Sequence, residues 1–302
     1  MLQVGIFSGY FPYTLEESAK RIRELGFNTV QLDLIFSDLD LATEKITKEK
    51  CVMIRDTFRR YNLPISCISS YTNLTDPIPE RRKMNLDRLK TIIRHCHDLG
   101  SPYVPSETGT YHPDSDWIAH PNNYTEEGYE ECRDIIYELV QLCRKEGAVF
   151  VIEAYIYNVI GTIERTLRLF SEINDPQHLA LAMDPVNYID EVNFYEMDRT
   201  LNLMFDALED TIVFAHAKDI RVVEEEQEVQ MAEVTATEGH SFRGVGLIEQ
   251  PAAGLGYLNY DLFLQRLAKA SPNCPIIIEH LELEDVPRAK KWLDAKLMAI
   301  GV

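Results

Sequence analysis

Positive charge is scarce in this chain. Its 30 Lys and Arg stand against 49 Asp and Glu, a net charge of −19 over 302 residues. That balance lacks the basic face a nucleic-acid groove needs, so no nucleic-acid partner is expected. A small neutral, cationic or metal-bridged ligand suits it better. None of the six cysteines (Cys51, Cys67, Cys96, Cys132, Cys143 and Cys274) forms a CxxC pair. Scattered thiols of this kind read as reduced and structural. No hydrophobic run is long enough to span a bilayer. No basic, cleavable leader is visible in MLQVGIFSGY. No membrane association is expected, and a cytoplasmic location is. Low-complexity tracts, solenoid repeats and composition breaks are missing too. One domain over residues 1–302 is the expectation.

What the chain has in plenty is short apolar runs alternating with helical patterns. The first run, Leu2 to Phe7, precedes a helix from Leu15 to Leu25, with a capping box at Thr14 and Glu17 and a stop at Gly26. Runs at Thr29 to Leu34 and Ile65 to Ser69 flank a helix at about Lys48 to Tyr61, with Thr47 as N-cap. A long helix, about Glu80 to Leu99, ends on Gly100 and leads to a short strand at Tyr103 to Pro105. An extended loop follows, Glu107 to Tyr124, and then a helix from Glu126 to Glu146. Four further units contain the runs AVFVIEAY, LALAMD, TIVFAH and CPIIIE. Their helices start after Gly161 and Thr162, near Phe194, near Tyr260 and near Pro287. A polar, Glu-rich excursion, Val222 to Gln250, interrupts the seventh unit. Eight strand–helix units imply an α/β fold, the closed parallel (β/α)8 TIM barrel.

In such barrels the site lies at the C-terminal ends of the strands. The four later runs carry Glu153, Asp184, His216 and Glu279 at or near those ends. A carboxylate there cannot enter the core unpaired. Any of the four alone is an ordinary cap, turn opener or core histidine. Together, in four successive units, they predict convergence on one divalent cation. Three carboxylates and an imidazole suit Mn²⁺, Mg²⁺, Co²⁺ or Zn²⁺ better than copper or an iron–sulfur cluster. Around them Lys218 points either to a substrate oxygen or outward. Asp219 orients a ligand or starts a loop. Asn187 donates to a hydroxyl or closes the Asp-Pro turn. The long loop, with Glu107, Tyr111, His112, Trp117 and His120, reads as a pocket wall. Tyr10, Tyr71, Tyr155 and Tyr188 lie at the same end, where rings can wall the apolar face of a sugar. His95 and His97 read as structural or exposed; His280 is expected to face away from its neighbour Glu279.

With IEAY at Glu153, MDPVN from Met183 to Asn187, AHAKD from Ala215 to Asp219, AGLGYLNY from Ala253 to Tyr260 and IIIEHL around Glu279, nearly the whole chain resembles the xylose-isomerase-like barrel superfamily. The likeness is to its sugar phosphate isomerase/epimerase group. It implies a metal, Mn²⁺ first, on Glu153, Asp184, His216 and Glu279, with Glu153 and Glu279 as the acid/base pair. Many relatives carry a substrate-binding His where this chain has Asn187, which fits a divergent isomerase subgroup. The activity implied is isomerisation or epimerisation of a sugar or sugar phosphate through a metal-stabilised enediolate. Glu107, His112, Trp117, Tyr10, Asn187 and Lys218 are the expected substrate contacts. A sugar or polyol dehydratase is the alternative; an AP-endonuclease-like phosphodiesterase and a non-catalytic sugar-binding barrel rank lower. The implied partner is a small sugar, and a homo-oligomer is left open.

Overall fold

A computed structural model describes residues 1–234 and 239–302. Eight parallel strands form one sheet: β1 (Gln3–Phe7), β2 (Thr29–Leu32), β3 (Ile65–Ile68), β4 (Tyr103–Glu107), β5 (Val149–Glu153), β6 (Leu179–Met183), β7 (Ile212–Ala217) and β8 (Pro275–Ile278). Helices α1 (Leu15–Glu24), α2 (Lys48–Arg60), α3 (Pro79–Leu99), α4 (Glu126–Glu146), α5 (Ile163–Ile173), α6 (Met197–Leu208), α7 (Tyr260–Ala270) and α8 (Val286–Ile300) follow them one for one. The hydrogen-bonded order is β3-β2-β1-β8-β7-β6-β5-β4, a nearly closed TIM barrel. β1 pairs with β8, so the first and last units join.

The seam lies between β3 and β4, and the sequence explains it. Pro105 has no N–H to give to a neighbouring strand. Side-chain hydroxyls bridge the gap instead. Ser70 Oγ donates to the Pro105 carbonyl at 2.7 Å, and Ser106 Oγ accepts from Thr72 N at 3.0 Å.

Helix boundaries follow local capping chemistry. Thr14, Thr47, Thr125 and Thr162 each accept a backbone N–H from the first turn of the helix they open. Gly100 and Gly147 close α3 and α4 in the left-handed region, at φ 99° and 69°. The large apolar layer lies between strands and helices. A small second cluster fills the barrel itself: Cys67, Val151, Ala180, Ala182, Phe214 and Ile277. All six cysteines are free and buried. Among the described residues, no helix is long and apolar enough to cross a membrane.

Three expectations change. β4 runs on to Glu107, whose register partner is Glu153, so Glu107 is a strand tip and not a loop residue. The second apolar run breaks after Leu32. Ile35–Phe36 then pairs antiparallel with Leu39–Asp40. The polar excursion is a hairpin, Arg221–Val234 against Gly239–Glu249; its residues 235–238 lie outside those described.

Candidate active site

Strand alternation aims the site residues. Successive side chains point to opposite faces of a strand. Val151, Ala182, Phe214 and Ile277 fill the barrel interior. Two residues beyond each come Glu153, Asp184, His216 and Glu279. They therefore share the interior parity and rise at the barrel's C-terminal mouth. Their ligand atoms all lie within 4.8 Å of one another. His216 Nδ1 is 3.2 Å from Glu153 Oε2 and 3.5 Å from Asp184 Oδ2. Glu279 Oε2 is 3.6 Å from His216 Nε2. The Glu279 side chain keeps 12% of its surface exposed, whereas the other three are almost fully buried.

The donor set fits a divalent cation. His216 Nδ1 is buried with no hydrogen-bond partner. Asp184 Oδ2 is likewise buried without one of suitable geometry, although Lys218 Nζ lies 2.9 Å away. The two atoms lie 3.5 Å apart and face the same small space, and buried polar atoms that lack a well-formed hydrogen bond are costly. The other His216 nitrogen, Nε2, contacts Gln31 Oε1 at 2.8 Å. As the acceptor, Gln31 Oε1 holds a proton on Nε2, so Nδ1, once deprotonated, would be the nitrogen that meets a metal. Cys67 Sγ donates to the same amide oxygen at 3.6 Å. Replacing Gln31 by Leu is expected to weaken Mn²⁺ binding about 10- to 100-fold, as for other partners behind a ligand. Isothermal titration of both proteins tests this, and equal affinities would remove Gln31 from the site.

The surrounding groups hold these side chains in place. Tyr71 OH donates to Glu153 Oε2 at 2.5 Å, and Asn187 Nδ2 donates to Glu153 Oε1 at 2.7 Å. Asn187 thus braces a carboxylate, a role absent from both readings of it above. Asp184 Oδ1 accepts from Val186 N at 3.1 Å in the Asp-Pro turn. Lys218 has the interior parity and points inward. It is buried, its Nζ 2.9 Å from Asp184 Oδ2 and 3.1 Å from Glu279 Oε1. Asp219 points the other way. It accepts from the backbone N–H groups of Ile220, Gly254 and Leu258, fastening the glycine loop that follows the hairpin.

These groups press on one another's protonation. Burial works against a charged Lys218, but Asp184 and Glu279 outweigh it and raise its pKa. Burial also opposes protonation of His216, and Glu153 and Glu279 overcome that. Burial lifts the Asp184 carboxyl, yet Lys218 and His216 hold it well below the usual range. Glu279 moves up, because burial exceeds the pull of His216 and Lys218. Burial, then the charge of Glu153, raises Glu107 strongly.

A cavity of about 200 Å³ opens above the cluster. Glu107, Glu153, Asn187, Lys218 and Glu279 supply its polar wall. Tyr10, Trp117 and Tyr155 line it as the sequence suggested, and Tyr71 does too. His112 does not. Its Nδ1 accepts from Asp114 N at 3.2 Å, which turns the ring into its own loop. Tyr188 is packing: it is buried with its hydroxyl 3.3 Å from Thr166 Oγ1. His280, expected to face away, lines the cavity. Its φ of 59° breaks the alternation. Its Nε2 lies 3.4 Å from Lys218 Nζ, and its backbone N–H donates to Tyr10 OH at 2.7 Å. Burial, then Lys218, pushes its pKa well below the ordinary value. Gln31, Phe7, Ser69 and Phe242 complete the wall without having been singled out from the sequence. For Gln31 a signal existed: it is a polar residue inside an apolar run.

The sequence profile described as xylose isomerase-like TIM barrel matches residues 19–296. The chain belongs to this family. No curated protein matches it by sequence. Solved structures of the xylose isomerase-like fold do match. The 3-keto-D-glucoside 4-epimerase of E. coli, in its apo form, is similar at a TM-score of 0.68 and 17% identity, over 98% of this chain and 100% of that one. A D-tagatose 3-epimerase-like protein gives a TM-score of 0.69 at 16% identity, over 99% and 98% of the two chains. A xylose isomerase-like TIM barrel protein from Mycobacterium smegmatis, in complex with magnesium, gives 0.66 at 15%, over 99% and 96%. At these identities the likeness is one of fold.

Proposed function

We propose that the protein is a divalent-cation-dependent carbohydrate isomerase or epimerase, moving a proton on the carbon beside a carbonyl. The observation that carries this reading is the pair Glu153 and Glu279. Both belong to one ligand cluster and both line one cavity. A 3-keto-D-glucoside 4-epimerase and a D-tagatose 3-epimerase-like protein of the same fold support it.

Glu153, Asp184, His216 and Glu279 would hold the cation, Mn²⁺ first and Mg²⁺, Co²⁺ or Zn²⁺ also compatible. When bound, it supplies a Lewis acid that polarises a carbonyl and its neighbouring hydroxyl. The chain's own residues do the proton transfer. Glu279, the more exposed carboxyl, accepts the proton from the C–H beside the carbonyl, and the electron pair passes into an enediolate. Glu153, fixed by Tyr71 and Asn187, is the second carboxyl. Return of a proton to the opposite face of the same carbon gives the epimer. Return to the former carbonyl carbon, with the hydroxyl proton passing to the former carbonyl oxygen, gives the isomer. Lys218 orients Glu279 through its contact at 3.1 Å. Phe7, Tyr10 and Trp117 keep water from the reacting carbon.

The test is incubation with Mn²⁺ and a panel of ketoses and their phosphates in D₂O. One substrate is expected to gain a single deuterium at the carbon beside the carbonyl. Loss of water by mass in place of exchange would assign a dehydratase. Binding without exchange or conversion would assign a non-catalytic sugar-binding barrel.

A further inference from the structure

Between β7 and α7 the chain leaves the barrel for the hairpin Arg221–Val234/Gly239–Glu249, a separate two-stranded sheet. Its register slips three times between Val222 and Met231. The return strand bends at Gly244, where φ is 141° and a Cβ would lie 2.2 Å from the Ile248 carbonyl oxygen. The bend is closed by Gln250 N, which donates to the Arg243 carbonyl at 2.7 Å. Irregularities of this kind re-aim side chains beside active sites.

The residue re-aimed here is Phe242. It is only 6% exposed, although its strand belongs to no barrel layer. Its ring stacks on Trp117, with centroids 5.5 Å apart and planes within 6°. It meets Tyr155 edge-on at 5.7 Å and His280 edge-on at 6.3 Å. All four rings line the cavity. Three separate segments therefore converge on Phe242: the loop after β4, the end of β5 and the tip of β8. The neighbouring Arg243 Nη2 contacts Glu282 Oε1 at 3.1 Å, tying the hairpin to the loop after β8. None of these rings is one of the two carboxyls that move the proton.

We propose that Phe242, stacked on Trp117, closes one end of the cavity and sets the size of sugar admitted: a single monosaccharide-sized polyol, with glycosylated sugars turned away. This rests on the carbohydrate reading above. The cavity of about 200 Å³ falls below the roughly 300–1,000 Å³ of pockets for larger ligands. Stacked rings also present a flat face that suits the C–H side of one sugar.

The test compares wild type, Phe242→Ala and Phe242→Leu on the ketohexoses and on isomaltulose, a reducing disaccharide that ends in a ketohexose. Wild type is expected to favour the monosaccharide. Phe242→Ala should narrow that preference by at least about tenfold, through a lower KM for the disaccharide and a higher KM for the monosaccharide, which loses the ring it packs on. Phe242→Leu keeps an apolar stopper and should retain most of the preference. A merely structural role would depress both substrates together. An unchanged preference in Phe242→Ala, or a wild type that accepts both sugars equally, overturns the assignment of Phe242 alone. A wild type that neither binds nor converts any sugar overturns the carbohydrate reading, and this inference with it.

Discussion

Replacing Glu279 by Gln is expected to lower kcat by about 10²- to 10⁴-fold at saturating Mn²⁺, the range associated with loss of a general acid–base group. The amide keeps the size of the carboxyl and one oxygen donor, but it cannot accept the substrate's proton. Glu153, Asp184 and His216 are untouched, so Mn²⁺ affinity should fall far less than turnover. The contrast with Asp184→Asn separates the two roles. That variant removes a ligand charge and leaves both glutamates in place, so its loss should be recovered largely by raising Mn²⁺. The loss in Glu279→Gln should persist at any Mn²⁺ concentration. Deuterium exchange at the substrate carbon should vanish in step with turnover. A Glu279→Gln enzyme within tenfold of wild type at saturating Mn²⁺ would leave Glu279 as a ligand only and send the proton elsewhere.

The barrel and the convergence of Glu153, Asp184, His216 and Glu279 were legible for a single reason. A period of two fixes which residues of a strand face inward, and Val151, Ala182, Phe214 and Ile277 mark that face in four successive runs. Lys218, two residues beyond His216, keeps the same period, although its direction was left open between the site and the outside. The errors come where the period fails or where contact depends on distant chain. His280 turns inward through a left-handed backbone, a conformation uncommon outside glycine. Glu107 looked like the start of a loop because Pro105 suggested a strand end; β5 carries β4 two residues further. His112 sits in a loop held by one bond of its own and one from the loop after β3. Asn73 Nδ2 donates to the Thr110 carbonyl and Asn123 Oδ1 accepts from Tyr111 N, each at 2.9 Å. Phe242 lies in a stretch with no strand signature strong enough to place it, and only the bend at Gly244 brings it to Trp117.

Lys218→Met is expected to show the largest effect on stability. In the presence of a chelator it should cost about 3–5 kcal/mol, the penalty for leaving buried charges without their partner. Met fills the volume of the lysine stem without its charge, so lost packing contributes little. What remains is electrostatic. Lys218 Nζ lies 2.9 Å from Asp184 and 3.1 Å from Glu279, in a cluster that also holds Glu153. Removing the ammonium leaves three carboxylates sharing one buried imidazole. A divalent cation supplies positive charge to the same oxygens, so the variant should regain most of its stability in Mn²⁺. Ligand binding stabilises by about 2.7 kcal/mol at a concentration 100 times the Kd. The increment should be larger in the variant than in wild type at equal Mn²⁺, because Lys218 no longer repels the ion. Urea unfolding of both proteins, with chelator and with Mn²⁺, measures all four midpoints. A variant as stable as wild type in chelator would mean that the cluster carries less negative charge than its geometry implies. Equal Mn²⁺ increments in the two proteins would place the cation beyond the reach of Lys218, away from Asp184 and Glu279.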